Sequence, residues 1–256
     1  MSVAARSRPG ARSATHKPKK TAVLLAQRIV AEIADRQLEA GTPLPPERDM
    51  LVTYEVARGT LREALRFLEI QGVIAIKTGP GGGPLVAEPG ARHMASTVAM
   101  LLQLERAPFR AVLEARATLE PAMAAQAALR IDDDGLGELA ESVRNMRDRL
   151  DDRDLFLREN ERFHDTVARA SGNNVFALLS SSLNGIIDGT PLGVDYPAAV
   201  RESVVAEHSR IQRAVADRDP ERASAAMAVH MADYATYVER FYPAILEMPL
   251  RWDDVE

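Results

Sequence analysis

Asn160 and His164 stand four residues apart in "RENERFHDTVARASG", residues 158–172, on a helical stripe shared with Phe156, Phe163 and Val167. An amide and an imidazole on an apolar face need partners, because burying them unpaired costs free energy. His208 lies on a stripe with Val204, Ile211 and Val215, and His230 on one with Ala226, Met227 and Tyr234. Three of the five histidines therefore fall on inward faces of three helices, while His16 and His93 lie near the N-terminus and in a linker. Any one of them is most simply a hydrogen-bonded core residue. Together with Asn160, on facing helices, they form a candidate metal site. Neutral imidazoles and an amide oxygen suit a borderline divalent ion such as zinc, nickel or manganese.

The same histidines admit a different chemistry, that of a metal-dependent hydrolase. Such a site needs an open coordination position and usually a general base. Glu161 and Glu207 adjoin the histidines in sequence, but their spacing turns them around the helix, which leaves no base on the ligand face. Arg116 shares a face with Val112, Leu119 and Met123. It reads either as a fork for a small carboxylate or as half of an ion pair with Glu120 one turn on. The run "IDDDG" at 131–135 lacks the alternating ligands of a calcium loop and reads as a loop and helix start.

A second constellation lies upstream. Arg58 and Arg62 are one helical turn apart, with Gly59 and Thr60 at the start of the same helix. Arginines so placed clamp phosphates or pair bidentately with guanine, and helix N-terminal N–H groups add phosphate contacts. Lys77 and the glycine-rich run 79–83, with Gly81 in its middle, would lie beside the minor groove.

The elements that position these residues follow from periodicity. Residues 21–40 read as a helix ended by Gly41, a short helix follows the prolines near Pro46, and a third runs to a stop at Gly72. Val73–Ile76 and Leu85–Val86 then form a hairpin across the glycine tip. Three helices and a hairpin make a winged helix-turn-helix. Beyond residue 95 only helical patterns appear, at about 95–104, 109–130, 133–150, 153–171, 174–188, 199–218 and 220–246, the last starting at Asp219-Pro220. The expected fold is thus mainly α: a flexible basic arm over 1–20, a DNA-binding domain over 21–90 and an all-α bundle over 91–250.

Composition agrees. Aromatics make up only 5% of the chain, which favours close-packed helices, and with no cysteine there is no disulfide or thiolate metal site. Residues 1–90 carry 13 Lys and Arg against 9 Asp and Glu, whereas the remainder carries 19 against 28, so the positive charge sits on the part expected to meet DNA. No secretory signal and no membrane span is visible, which points to the cytoplasm.

"VARGTLREALRFLEIQGVIAIKTGPGGG" resembles the N-terminal domain of GntR-type transcription regulators, and Arg48, Arg58, Thr60, Arg62, Glu63, Ala64 and Leu65 fall on that pattern. The chain departs from it at Pro46, Ala57 and Glu55; the last stands where a turn glycine is usual and would need an unfavourable positive φ. "AVLEARATLEPAMAAQAA", "NERFHDTVARASGNN" and "AEHSRIQRAVADRDPERASAAMAVHM" are similar to the FCD ligand-binding domain of the FadR-type branch. The resemblance implies a homodimer on a palindromic operator, a small organic acid as effector, and metal ligands at His164, His208 and His230. Asn160 stands where the family has aspartate, so the ion would be held more weakly and the site left more positive by one unit. Arg116 matches the arginine of the family's Glu-x-Arg motif, which implies that it binds the effector carboxylate. A DNA-binding protein without an effector is the remaining alternative, although it would not need polar groups converging in its core.

Overall fold

The computed structural model describes residues 17–79, 82–87, 91–187 and 190–252, in two compact units that divide at residues 93 and 94. In the first unit, α1 (Lys17–Asp35), α2 (Glu47–Tyr54) and α3 (Arg58–Ile70) precede β1 (Ile74–Lys77) and β2 (Gly83–Val86). The i, i+3, i+4, i+7 stripe Leu61, Ala64, Leu65 and Leu68 of α3 is buried against Leu25, Ala26 and Ile29 of α1. The strands pair antiparallel, with Ile74 opposite Val86 and Lys77 opposite Gly83, and Ile74 and Val86 close the core. This is the winged helix-turn-helix arrangement.

Two chain reversals here are built on residues other than glycine. α1 stops at Asp35, six residues short of Gly41, because Gln37 adopts φ 49° and the N–H groups of Gln37 and Leu38 bond back to Ala34 and Ile33. Glu55 ends α2 at φ 52°, ψ 44°, the left-handed geometry expected of a glycine turn. For an L-residue that conformation costs about 1–2 kcal/mol.

The second unit holds all but the first three residues of α4 (Ala91–Leu104), then α5 (Phe109–Arg130), α6 (Asp133–Asp148), α7 (Arg153–Ala170), α8 (Asn174–Ile187), α9 (Ala198–Ala216), α10 (Pro220–Phe241) and α11 (Pro243–Leu246). Helices α5, α10, α9, α6 and α7 pack in a closed ring, and α8 lies against α7 and α5. Phe109, Phe156, Phe163, Leu139, Met146 and Ile211 fill its interior. Asp219 caps α10 by accepting from the N–H of Arg222, with Pro220 in the first turn. Asp132 does the same for α6 through the N–H of Gly135, which gives the acidic run a capping role. The single helix expected over 220–246 is instead two. Tyr242 precedes a proline, is driven out of the α region to φ −134°, ψ 44°, and breaks it. Among the described residues no helix is long and apolar enough to cross a membrane.

Candidate metal centre and DNA-reading face

Each inward histidine is delivered by a different helix of the ring: His164 by α7, His208 by α9 and His230 by α10. All three are buried, and one nitrogen from each lies within 4.8 Å of the others. Nε2 of His230 is the hub, 3.1 Å from Nε2 of His208 and 3.4 Å from Nε2 of His164. Nitrogens bound at about 2.0–2.1 Å to one ion are separated by roughly 2.9 Å at right angles and 3.4 Å in a tetrahedron, so these spacings fit a coordination sphere.

Carboxylates stand behind two of the rings. Glu207 Oε2 is 2.6 Å from His230 Nδ1, and Glu120 Oε2 is 2.5 Å from His164 Nδ1. A carboxylate on Nδ1 favours the tautomer whose Nε2 lone pair faces inward, as a metal ligand requires. His208 has no such support. Phe163 stacks on its ring at 3.9 Å and 9°, and its buried Nδ1 has no hydrogen-bond partner among the described residues. Burial lowers the pKa of His164 against the pull of Glu120, and lowers that of His208 well below the usual range, with His230 and His164 adding to the effect. Both rings are therefore neutral at pH 7, with lone pairs available. The three histidines could hold a metal ion. Asn160 is buried on α7 one turn before His164.

Arg116 is buried on α5 and its Nε lies 2.5 Å from Glu120 Oε1, so the ion-pair reading of this arginine is realised. Burial would raise the Glu120 carboxyl, but Arg116 and His164 beside it hold it far below the carboxylate range. One carboxylate thus joins the arginine to the histidine centre. Glu207 corrects the sequence reading. It does not turn away but is buried against His230, whereas Glu161 is exposed as its spacing implied. Its neighbour His208 faces the same interior, and α9 is wide enough for two adjacent positions to flank one seam. The signal that could have found Glu207 is its place four residues after Ser203, whose hydroxyl donates to Oε1 at 2.8 Å.

On the first unit, Arg58, Gly59 and Arg62 are exposed at the start of α3, and Thr60 is half-buried beside them. The side chains of Arg62 and Arg48 are 74% and 83% exposed, in surface contact with Glu47 and Asp49. α3 starts without a side-chain cap, which leaves its first N–H groups for an outside acceptor. Lys77 is exposed at the end of β1. At the wing, a Cβ on Gly82 would run into the carbonyl oxygens of Lys77 and Gly79, so only glycine fits. Gly81 lies outside the described residues. A Cβ on Gly59, in contrast, would meet nothing within 4 Å. The fold does not need glycine there, and Gly59 lies between the exposed Arg58 and the half-buried Thr60 at the start of α3. Gly59→Ala is accordingly expected to raise thermal stability by up to about 1 kcal/mol while weakening DNA binding. Melting curves and fluorescence anisotropy on the same preparation check both signs.

Comparison with known proteins supports both units. Residues 21–82 match the model of bacterial regulatory proteins of the gntR family, and residues 111–233 match the FCD domain. The uncharacterized HTH-type transcriptional regulator YcbG of Bacillus subtilis is 30% identical over 83% of this chain and 88% of its own length. The HTH-type transcriptional repressor NanR of Cronobacter sakazakii is 27% identical over 83% of both chains. Among solved structures, a Streptococcus agalactiae GntR protein superposes with a TM-score of 0.65 at 24% identity, over 84% of this chain and 98% of its own, which shows a shared fold.

Proposed function

This chain belongs to the GntR family of bacterial transcription regulators, in the branch that carries an FCD effector-binding domain, and from that premise we propose how it senses. As a member it is a DNA-binding regulator and not an enzyme, and the hydrolase alternative has no support. We propose that His164, His208 and His230 hold a divalent ion, zinc, nickel or manganese, with the Asn160 carbonyl as a weaker fourth ligand. The single observation that carries this is the convergence of three buried imidazole nitrogens, two of them backed by buried carboxylates. Such an ion offers a positive, Lewis-acidic anchor for an acidic group.

The effector we propose is a small organic acid whose carboxylate meets Arg116. Glu120 already engages that guanidinium, so the effector would share the arginine with it. On DNA, Arg58, Gly59, Thr60 and Arg62 would enter the major groove, Lys77 and the wing with Gly81 would follow the minor groove, and Arg48 would hold phosphate. A homodimer would bring two such heads to a palindromic operator. The relatives named as repressors favour release of DNA as the response.

The test is reciprocity. Small carboxylic acids that stabilise the zinc-supplemented protein are selected by thermal shift, and operator affinity is then measured with and without them. Coupling of about 1–3 kcal/mol is expected, equal in both directions. Unchanged operator affinity at saturating acid would remove the sensing role.

A further inference from the structure

A groove of about 220 Å³ lies between α9 and α10, and Glu207 lines it while His230 does not. Its walls are Val200, Val204, Tyr234 and Tyr237, and each helix adds one acid, Glu207 and Asp233. Among the described residues no Lys, Arg or His lines it. The Tyr237 hydroxyl donates to the Asp195 carbonyl at 2.8 Å, which leaves its ring for contact. Glu207 accepts from Ser203 on Oε1 and meets His230 on Oε2. A carboxylate has about four acceptor positions, so Glu207 can take a further donor. The Asp233 carboxylate is exposed and makes no hydrogen bond or ion pair among the described residues.

We propose that this groove binds a small organic ammonium ion, its nitrogen drawn to Glu207 and Asp233 and its hydrocarbon lying on the valines and tyrosine rings. Two acids with no lining cation repel an organic acid, so the groove is not the seat of the carboxylate effector. Aromatic faces attract a cation in addition to burying its body. The volume is below the about 300 Å³ at which sites for drug-sized ligands begin, so the occupant is small. Glu207 also ties the groove to the histidine centre. A metal ion on His230 and an ammonium in the groove would draw on the same negative charge, so each weakens the other's binding. This coupling rests on the metal reading above; the ammonium site itself does not.

The experiment titrates metal-stripped full-length protein with benzylammonium, followed by ligand-observed NMR. Benzylammonium is expected to bind, and benzyl alcohol, of the same shape without the charge, to bind about tenfold more weakly. Asp233→Asn weakens the ammonium selectively, and Val200→Trp, which fills the groove, removes it. Should Val200→Trp not fold, the exposed Ala199→Trp serves the same purpose. Adding zinc weakens benzylammonium severalfold. No binding at about 10 mM, equal binding of the alcohol, or unchanged binding in the groove-filled variant overturns the proposal. Zinc that binds without changing the ammonium affinity overturns the coupling. Failure of zinc to bind removes the metal reading and the coupling with it, and leaves the ammonium arm of the titration to decide the site.

Discussion

His230→Ala is expected to abolish metal binding, with a loss beyond the roughly 10–100-fold that follows removal of a residue supporting a ligand. His230 is the nitrogen nearest to both of the other histidines, at 3.1 and 3.4 Å, and no neighbouring imidazole can replace it. The variant also leaves Glu207 buried without its ring partner, so part of the loss would be structural. Glu207→Gln separates the two effects. It keeps the shape and a hydrogen-bonding side chain beside His230 but removes the charge that sets the tautomer. Its expected loss is about 10–100-fold in metal affinity, with little change in melting temperature for the metal-free protein. Competition titration against a zinc-binding dye measures both variants.

Arg58→Ala and Arg62→Ala are expected to produce the largest effects on DNA. Each arginine is exposed and one turn from the other on the first two turns of α3, so neither contributes to the core. An arginine that reads guanine costs about 1–3 kcal/mol when removed and relaxes the preference at one position. An arginine that only clamps phosphate weakens all sequences alike and lowers the salt slope by about one. Anisotropy at two salt concentrations, on a fragment selected by the protein from a random pool and on an unrelated fragment, assigns each residue. Retention of full affinity by the double variant would place the DNA-reading surface elsewhere.

Much of this arrangement was legible because it is written in local patterns. The inward Leu61, Leu65 and Leu68 of α3, the Asp219-Pro220 start and the histidines on apolar faces each depend on residues within a few positions of one another. Glu55 illustrates the same point from the opposite side. A residue ill-suited to a left-handed turn occupies one, because the helix-turn-helix geometry dictates the backbone there. What the sequence could not show is what long-range packing decides. Glu120 and Glu207 belong to the histidine centre only because α5 and α9 face α7 and α10, and no spacing along the chain predicts which carboxylate meets which ring. The early end of α1 at Gln37 was hidden for a simpler reason, since the expected terminator was glycine and the reversal used glutamine.

Asn160 remains the residue on which the sensing centre turns. As the proposed fourth ligand, its amide would offer an ion an oxygen without the charge that would hold it firmly, in a buried site where charge counts for more than in water. The most direct measurement is therefore a zinc titration of metal-stripped wild-type protein beside Asn160→Asp. One ion per chain is predicted for both, with the aspartate variant binding about tenfold more tightly or better. Absence of bound zinc in both proteins, or identical affinities, would contradict the assignment of Asn160, His164, His208 and His230 as a metal centre.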